Sequence, residues 1–191
     1  MDAAYSPPQG KLLLDIARGA IEDRLHNRVC EKGQWGGVSF LKEKRGAFVT
    51  LSKQGALRGC IGSILPNDSL DSCVRENALK AAFNDPRFSP VSRGEMAEIR
   101  IEVSVLSVPS ELILDHPRDI LDRVVPFEDG VILKKGERSA TFLPQVWEQL
   151  ADPVSFFSHL CLKAGLGERE WLENNLEVYT YRVQAFSEDE K

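Results

Sequence analysis

Positive charge is in short supply in this chain: 24 Lys and Arg stand against 29 Asp and Glu, a formal net charge of -5 over 191 residues. Proteins that grip nucleic acid or anionic membranes through bulk electrostatics carry an excess of Lys and Arg, so the composition argues against that mode and leaves room only for a local basic patch. Cysteine is scarce too. Cys30, Cys60, Cys73 and Cys161 are widely spaced, with no Cys-x-x-Cys pair and no local Cys/His cluster, which disfavours a zinc ribbon or finger while leaving distant residues free to meet in the fold, and no metal site is expected. No apolar run approaches the length that crosses a bilayer, and Met1-Asp-Ala-Ala-Tyr-Ser-Pro-Pro8 has no basic stretch leading into an apolar one. The expectation is a cytoplasmic protein with free thiols and no membrane contact. The common signature loops are missing as well: no Gly-x-x-x-x-Gly-Lys-Ser/Thr, no Gly-x-Gly-x-x-Gly, no His-Glu-x-x-His and no Gly-x-Ser-x-Gly. The cofactor is therefore unknown, and no repeat or low-complexity segment is present.

At 42% hydrophobic the chain can bury a full core. The expected class is α+β, a mostly antiparallel sheet flanked by helices, in a single domain over residues 1–191 with room for a smaller second lobe. Leu13, Ile16, Ala17, Ala20, Ile21, Leu25 and Val29 recur at helical spacing to about Cys30, where Gly33, Gly36 and Gly37 break the pattern. Val38 to Leu41 and Ala47 to Leu51 then read as strands, and Gln54-Gly55 turns the chain into a third, giving an antiparallel meander. Asn67 to Ser69 can cap a helix whose apolar stripe holds Leu70, Cys73, Val74, Ala78, Ala81 and Ala82, with Asp85-Pro86 as its stop. Cys73 on that stripe reads as core. Ser92 and Glu95 have capping-box spacing for a short helix. Ile99, Ile101, Val103 and Val105 alternate with Arg100, Glu102 and Ser104, the pattern of a strand with one buried face. Further on come a hairpin around Lys135-Gly136, a helix opened by Asp152-Pro153, and a strand from Val178 to Phe186 returning to the main sheet.

The chemistry concentrates in Leu57-Arg58-Gly59-Cys60-Ile61-Gly62-Ser63-Ile64. In an extended strand the side chains alternate, so Arg58 and Cys60 would share one face while Leu57 and Ile61 take the other. Gly59 and Gly62 would mark a bulge or the close approach of a ligand or another backbone. A cation beside a thiol favours the thiolate, the reactive form, which makes Cys60 a candidate nucleophile with Arg58 as its activator. The competing reading gives Arg58 the main task, holding an anionic ligand over backbone opened by Gly59 and Gly62, with Cys60 a packed small residue. Arg87 is either a surface partner of Asp85 or a planar donor fork for a carboxylate or phosphate. Glu102 is a candidate general base if its face lines the same cleft. His159 could serve as base beside Cys60 if the fold brings it there, whereas a lone histidine is more often a hydrogen-bonded bystander.

Together with Gly46-Ala-Phe-Val-Thr-Leu51, Ala81-Ala-Phe-Asn-Asp-Pro-Arg-Phe88, Ile101-Glu-Val-Ser-Val-Leu106, Leu143-Pro-Gln-Val146 and Cys161-Leu-Lys-Ala-Gly165, the Leu-Arg-Gly-Cys-Ile-Gly block resembles the AMMECR-type domain, the protein A component of the AmmeMemoRadiSam set. The resemblance runs through almost the whole chain in the same order. It implies a cytoplasmic α+β domain with the central strand lining a cleft, Memo-like and radical-SAM pathway partners, and a role in RNA modification. Three classes of function follow: an enzyme or enzyme component acting on a nucleobase, RNA or small anionic metabolite; a non-catalytic nucleotide or RNA binder; and a protein-interaction module.

Overall fold

The computed structural model describes residues 4–28, 37–173 and 175–188. Cys30, Gly33 and Gly36 lie outside them. The chain divides into two compact units, one formed by Met1–Val108 with Gln184–Lys191 and the other by Pro109–Val183. Both are built on antiparallel strands, in keeping with the α+β class.

In the first unit, helix α1 (Pro7–Leu25) buries Leu13, Ile16, Ala17 and Ile21, the stripe that the 3.6-residue period dictates. It stops short of residue 30 because Asn27 turns into the left-handed region at φ 52°, and the Arg93 Nε takes the carbonyl of Leu25. The segment expected as a first strand is instead a 3-10 helix, Ser39–Lys42, with Phe40 and Leu41 buried. Its short apolar run suits a single helical turn as well as a strand, and length alone cannot separate the two. Strands β1 (Ala47–Lys53) and β2 (Ala56–Ser63) form a hairpin, helix α2 (Leu70–Phe83) follows, and β3 (Ile99–Leu106) pairs with the other side of β1. Between α2 and β3 the Ser92–Glu95 pair holds a turn, not a helix, with the Glu95 amide bonded to the Ser92 carbonyl.

The remaining strands complete two sheets. The second unit holds β4 (Ser110–Glu111), α3 (Ile120–Arg123), β5 (Gly130–Lys135), β6 (Arg138–Phe142), α4 (Pro153–Lys163) and β7 (Glu177–Tyr181), with sheet order β4-β7-β5-β6. Strand β8 (Val183–Ser187) closes the first sheet in the order β2-β1-β3-β8. The single returning strand expected from Val178 to Phe186 is thus two strands, one per sheet, broken at Arg182.

Helices α1 and α2 cover one face of the first sheet, with Val49, Leu51, Ile101 and Val103 meeting Ile16, Ile21, Val74 and Ala78. Each of these Val, Leu and Ile side chains contributes roughly 1.5–3 kcal/mol on burial. Asn77, itself buried, donates from Nδ2 to the Ala47 carbonyl at 3.0 Å and pins α2 to the start of β1. Cys73 is core, as its place on the stripe requires. The second unit is organised around Trp147, stacked on Phe156 with ring centres 3.6 Å apart and donating from Nε1 to the Asp129 carbonyl.

Candidate functional site

Strand β2 lies at the edge of its sheet, and its register against β1 decides what the central motif can do. Val49 pairs with Ile61, Thr50 with Cys60 and Leu51 with Gly59, but Ser52 pairs with Leu57. Arg58 is therefore an extra residue, a β-bulge, and the alternation that would have set its side chain beside Cys60 is broken there.

The two side chains separate accordingly. The Arg58 guanidinium goes to the segment that follows α2, where Nε and Nη2 make a bidentate pair with Glu95 at 2.7 and 3.1 Å and Nη2 also donates to the Ser89 carbonyl at 2.8 Å. The Arg58 side chain is only 13% exposed. Its Nη1 is buried without a hydrogen-bond partner, and the guanidinium carbon sits 5.8 Å from the centre of the Phe88 ring, an arrangement in which the ring face takes the place of an acceptor. The bond to Arg58, ahead of smaller contributions, holds the Glu95 carboxyl below its ordinary pKa. Arg58 is accordingly a staple between β2 and the residues after α2, not a free ligand holder.

The glycines are equally committed to the protein's own packing. A Cβ on Gly59 would stand 2.3 Å from the Ala81 carbonyl oxygen of α2, and one on Gly62 would stand 2.2 Å from the Phe48 ring. The close approach that each glycine permits is made by a helix backbone and by a phenyl ring. Neither leaves space for a ligand.

The exposed edge of β2 is capped by side chains. Asp85 accepts the Cys60 amide at 2.9 Å, and Arg87 donates from Nη2 to the Cys60 carbonyl at 3.2 Å. The two residues bond each other, Nη2 to Oδ2 at 2.7 Å and Nε to Oδ1 at 3.0 Å. Together they do for Cys60 what a neighbouring strand would do, which protects an otherwise open edge. The Arg87 guanidinium, then the Cys60 amide, holds the Asp85 carboxyl well below the usual carboxylate range. Asp85 is buried, whereas the Arg87 side chain is 53% exposed. Its Nη1 makes no hydrogen bond among the described residues, and the guanidinium carbon lies 5.5 Å from the centre of the Phe88 ring. The Arg87 pKa is raised mainly by the Asp85 bond. Through the bond to its carbonyl, Arg87 is the guanidinium anchored on Cys60.

Cys60 turns to the sheet face opposite α2, since Gly59 points at that helix. Its backbone faces outward to Asp85 and Arg87, so the Thr50–Cys60 pair is of the non-hydrogen-bonded kind, in which side chains lie closest. Thr50 Oγ1 donates to Cys60 Sγ at 3.4 Å. On the far side of Thr50, Glu102 of β3 stands directly opposite it. Cys60, Thr50 and Glu102 thus form a row across three adjacent strands, the outer two about 10 Å apart from the strand spacing. Both Glu102 oxygens are held by hydroxyls, Oε2 by Ser187 at 3.0 Å and Oε1 by Ser104 at 3.4 Å. Cys60 is partly exposed, while Cys73 and Cys161 are buried, and burial raises the pKa of both.

His159 belongs to the second unit. It sits on α4 with Nδ1 2.8 Å from the Ser155 carbonyl one turn earlier, a bond internal to its own helix. Among the described residues, no group of three or more His, Cys, Asp or Glu is placed to hold a metal. No helix among them is long and apolar enough to cross a membrane. Sequence reasoning missed Thr50, which carries no charge and becomes visible only through the β1–β2 register. Glu95 it registered only as half of a capping box.

The model of the AMMECR1 family matches residues 14–186 of this chain. Protein MK0488 of Methanopyrus kandleri is 41% identical over 188 residues, covering 95% of this chain and 89% of the relative. A protein of Methanosarcina mazei is 38% identical over 186 residues, 95% and 92% of the two chains. The crystal structure of the uncharacterized protein PH0010 from Pyrococcus horikoshii superposes with a TM-score of 0.84 at 35% identity, over 96% of this chain and 93% of that one.

Proposed function

This chain belongs to the AMMECR1 family, and on that premise we propose that it is a thiol-dependent enzyme component acting on a small anionic substrate with an electrophilic carbon, a nucleobase derivative being one such class. The observation that carries this reading is the row of Cys60, Thr50 and Glu102 on one sheet face. A substrate lying over Thr50 meets the sulfur on one side and the carboxylate on the other. Cys60, having given its proton to solvent, adds its sulfur lone pair to the electrophilic carbon. A C–S bond forms, and the displaced π pair moves onto the substrate. Thr50 holds the sulfur in place, and Glu102, too distant to deprotonate the thiol directly, exchanges a proton with the far side of the substrate. The exposed edge of Arg87 supplies the anion contact.

Charge-selective alkylation tests the reading. In the native protein, Cys60 is expected to react ahead of Cys73 and Cys161, identified by peptide mass spectrometry. The rate ratio of iodoacetate to iodoacetamide at Cys60 should fall by about two- to threefold in Arg87→Met, the order expected of one unit charge acting through water over several ångströms. A native Cys60 as inert as the two buried cysteines, or a ratio unmoved by Arg87→Met, overturns it.

A further inference from the structure

Strand β8 stops at Ser187, and beyond its end the carbonyl of Ile99 on β3 has no strand partner. Arg18 Nη2 and Arg100 Nη1 both donate to it, at 2.9 and 3.3 Å. They line a cleft of about 780 Å³ together with Glu22, His26, Arg28 and Glu188, a volume in the range of small-molecule sites. The two carboxylates of this cleft share one guanidinium, that of Arg18, which serves Glu188 first. Glu188 binds Arg18 through both oxygens, each at 2.6 Å, and also accepts the Ile101 amide at 3.0 Å, while Glu22 lies 3.8 Å from the same Arg18. Arg28 is paired with Asp23 at 2.9 Å through Nε and is 58% exposed. Arg100 differs from both. It is partly buried, its single hydrogen bond uses one of five donors, and no carboxylate partners it among the described residues.

A partly buried guanidinium without a counter-ion is a costly arrangement, and its planar fork matches the oxygens of a phosphate. We propose that this cleft binds a small phosphorylated metabolite, with Arg100 as the main phosphate contact and Arg28 beside it. Its lining includes neither Cys60 nor Thr50, although Arg100 stands two residues from Glu102 on β3. A nucleic acid is the less suited ligand, because the chain as a whole is acidic and phosphate backbones require many cations.

Titration calorimetry with pyrophosphate at low ionic strength tests the proposal. The full chain should bind one equivalent saturably, Cys60→Ser should titrate like wild type, and Arg28→Gln should bind severalfold more weakly. Arg100→Gln should lose about tenfold or more in affinity, the loss of one charge-assisted hydrogen-bonded pair. If Arg100→Gln does not fold by circular dichroism, Arg100→Lys is measured instead, with the same weakening expected from loss of the fork. Absence of saturable binding, equal affinity in wild type and the Arg100 variant, or tighter binding of a short single-stranded RNA than of pyrophosphate overturns it. The alkylation of Cys60 is a separate readout, so either assignment can fail without the other.

Discussion

Replacing Gly59 by alanine probes the contact between β2 and α2 directly. The added Cβ would stand 2.3 Å from the Ala81 carbonyl oxygen, where ordinary contact begins at 3.4 Å, so strand and helix must part by about 1 Å. The obstacle is helix backbone, which cannot swing aside as a side chain would. Movement of β2 away from α2 is resisted by the Arg58–Glu95 pair and by Asp85 and Arg87 on the Cys60 backbone. Overpacking of this kind costs about 1–3 kcal/mol. Taking about 2 kcal/mol and roughly 2–4 °C per kcal/mol for a chain of this length, Gly59→Ala should lower Tm by about 4–8 °C in differential scanning fluorimetry. Gly19→Ala is the control. It lies inside α1 with nothing within 4 Å of an added Cβ, and should raise stability by about 0.8–1 kcal/mol through helix propensity. The displaced strand should also expose Cys60, so its alkylation should quicken. A Gly59→Ala protein that melts with wild type and alkylates at the same rate would refute the packing account of this glycine.

Arg58→Ala should destabilise by about 1–2 kcal/mol, measured by urea denaturation, because it removes the bidentate partner of Glu95 and leaves that carboxylate only Lys53, 3.6 Å away, and the Ser92 amide, and Arg58→Lys should recover only part of that for want of the fork. Asp85 contributes stability that is present above its unfolded pKa near 4 and lost as pH falls toward its depressed folded value. Asp85→Asn should therefore flatten the acid limb of a stability-against-pH curve below about pH 4, and an unchanged limb would refute the assignment. Burial pushes the Tyr181 hydroxyl up to about 12, against the opposing bond to Thr141. The folded state keeps that proton where the unfolded chain has lost it, so stability should fall between pH 10 and 12. Tyr181→Phe should remove that fall and, by losing the hydrogen bonds to Thr141 and the Phe142 carbonyl, cost about 1–2 kcal/mol at neutral pH.

How far the chain could be understood from its letters differs from place to place. The α1 and α2 stripes and the β3 alternation follow from hydrophobic periodicity, and all three stand where that period puts them. The Val38–Leu41 segment did not, because four residues, three of them apolar, are too few to carry a period. Cys60 and Glu102 share a sheet face, one of two alternatives that the strand patterns left open. Arg58 does not share it, because a one-residue bulge inverts every facing argument beyond it and leaves no mark in composition. Gly59 and Gly62 announced a close approach without saying what approaches. That answer depends on contacts with Ala81, distant in sequence, and with Phe48 across the hairpin.

The first unit is discontinuous along the chain. Its final strand, β8, begins where the segment 109–183 that forms the second unit ends. Tyr5 and Gln184 exchange two backbone-to-amide hydrogen bonds at 2.8 Å each, joining points 179 positions apart. On the ribosome, the later-encoded unit is therefore released whole while the earlier one still waits for its fourth strand. Synthesis order and folding order are opposed, and for that interval the outer margin of β3 stands bare to whatever nascent chain or chaperone lies nearby.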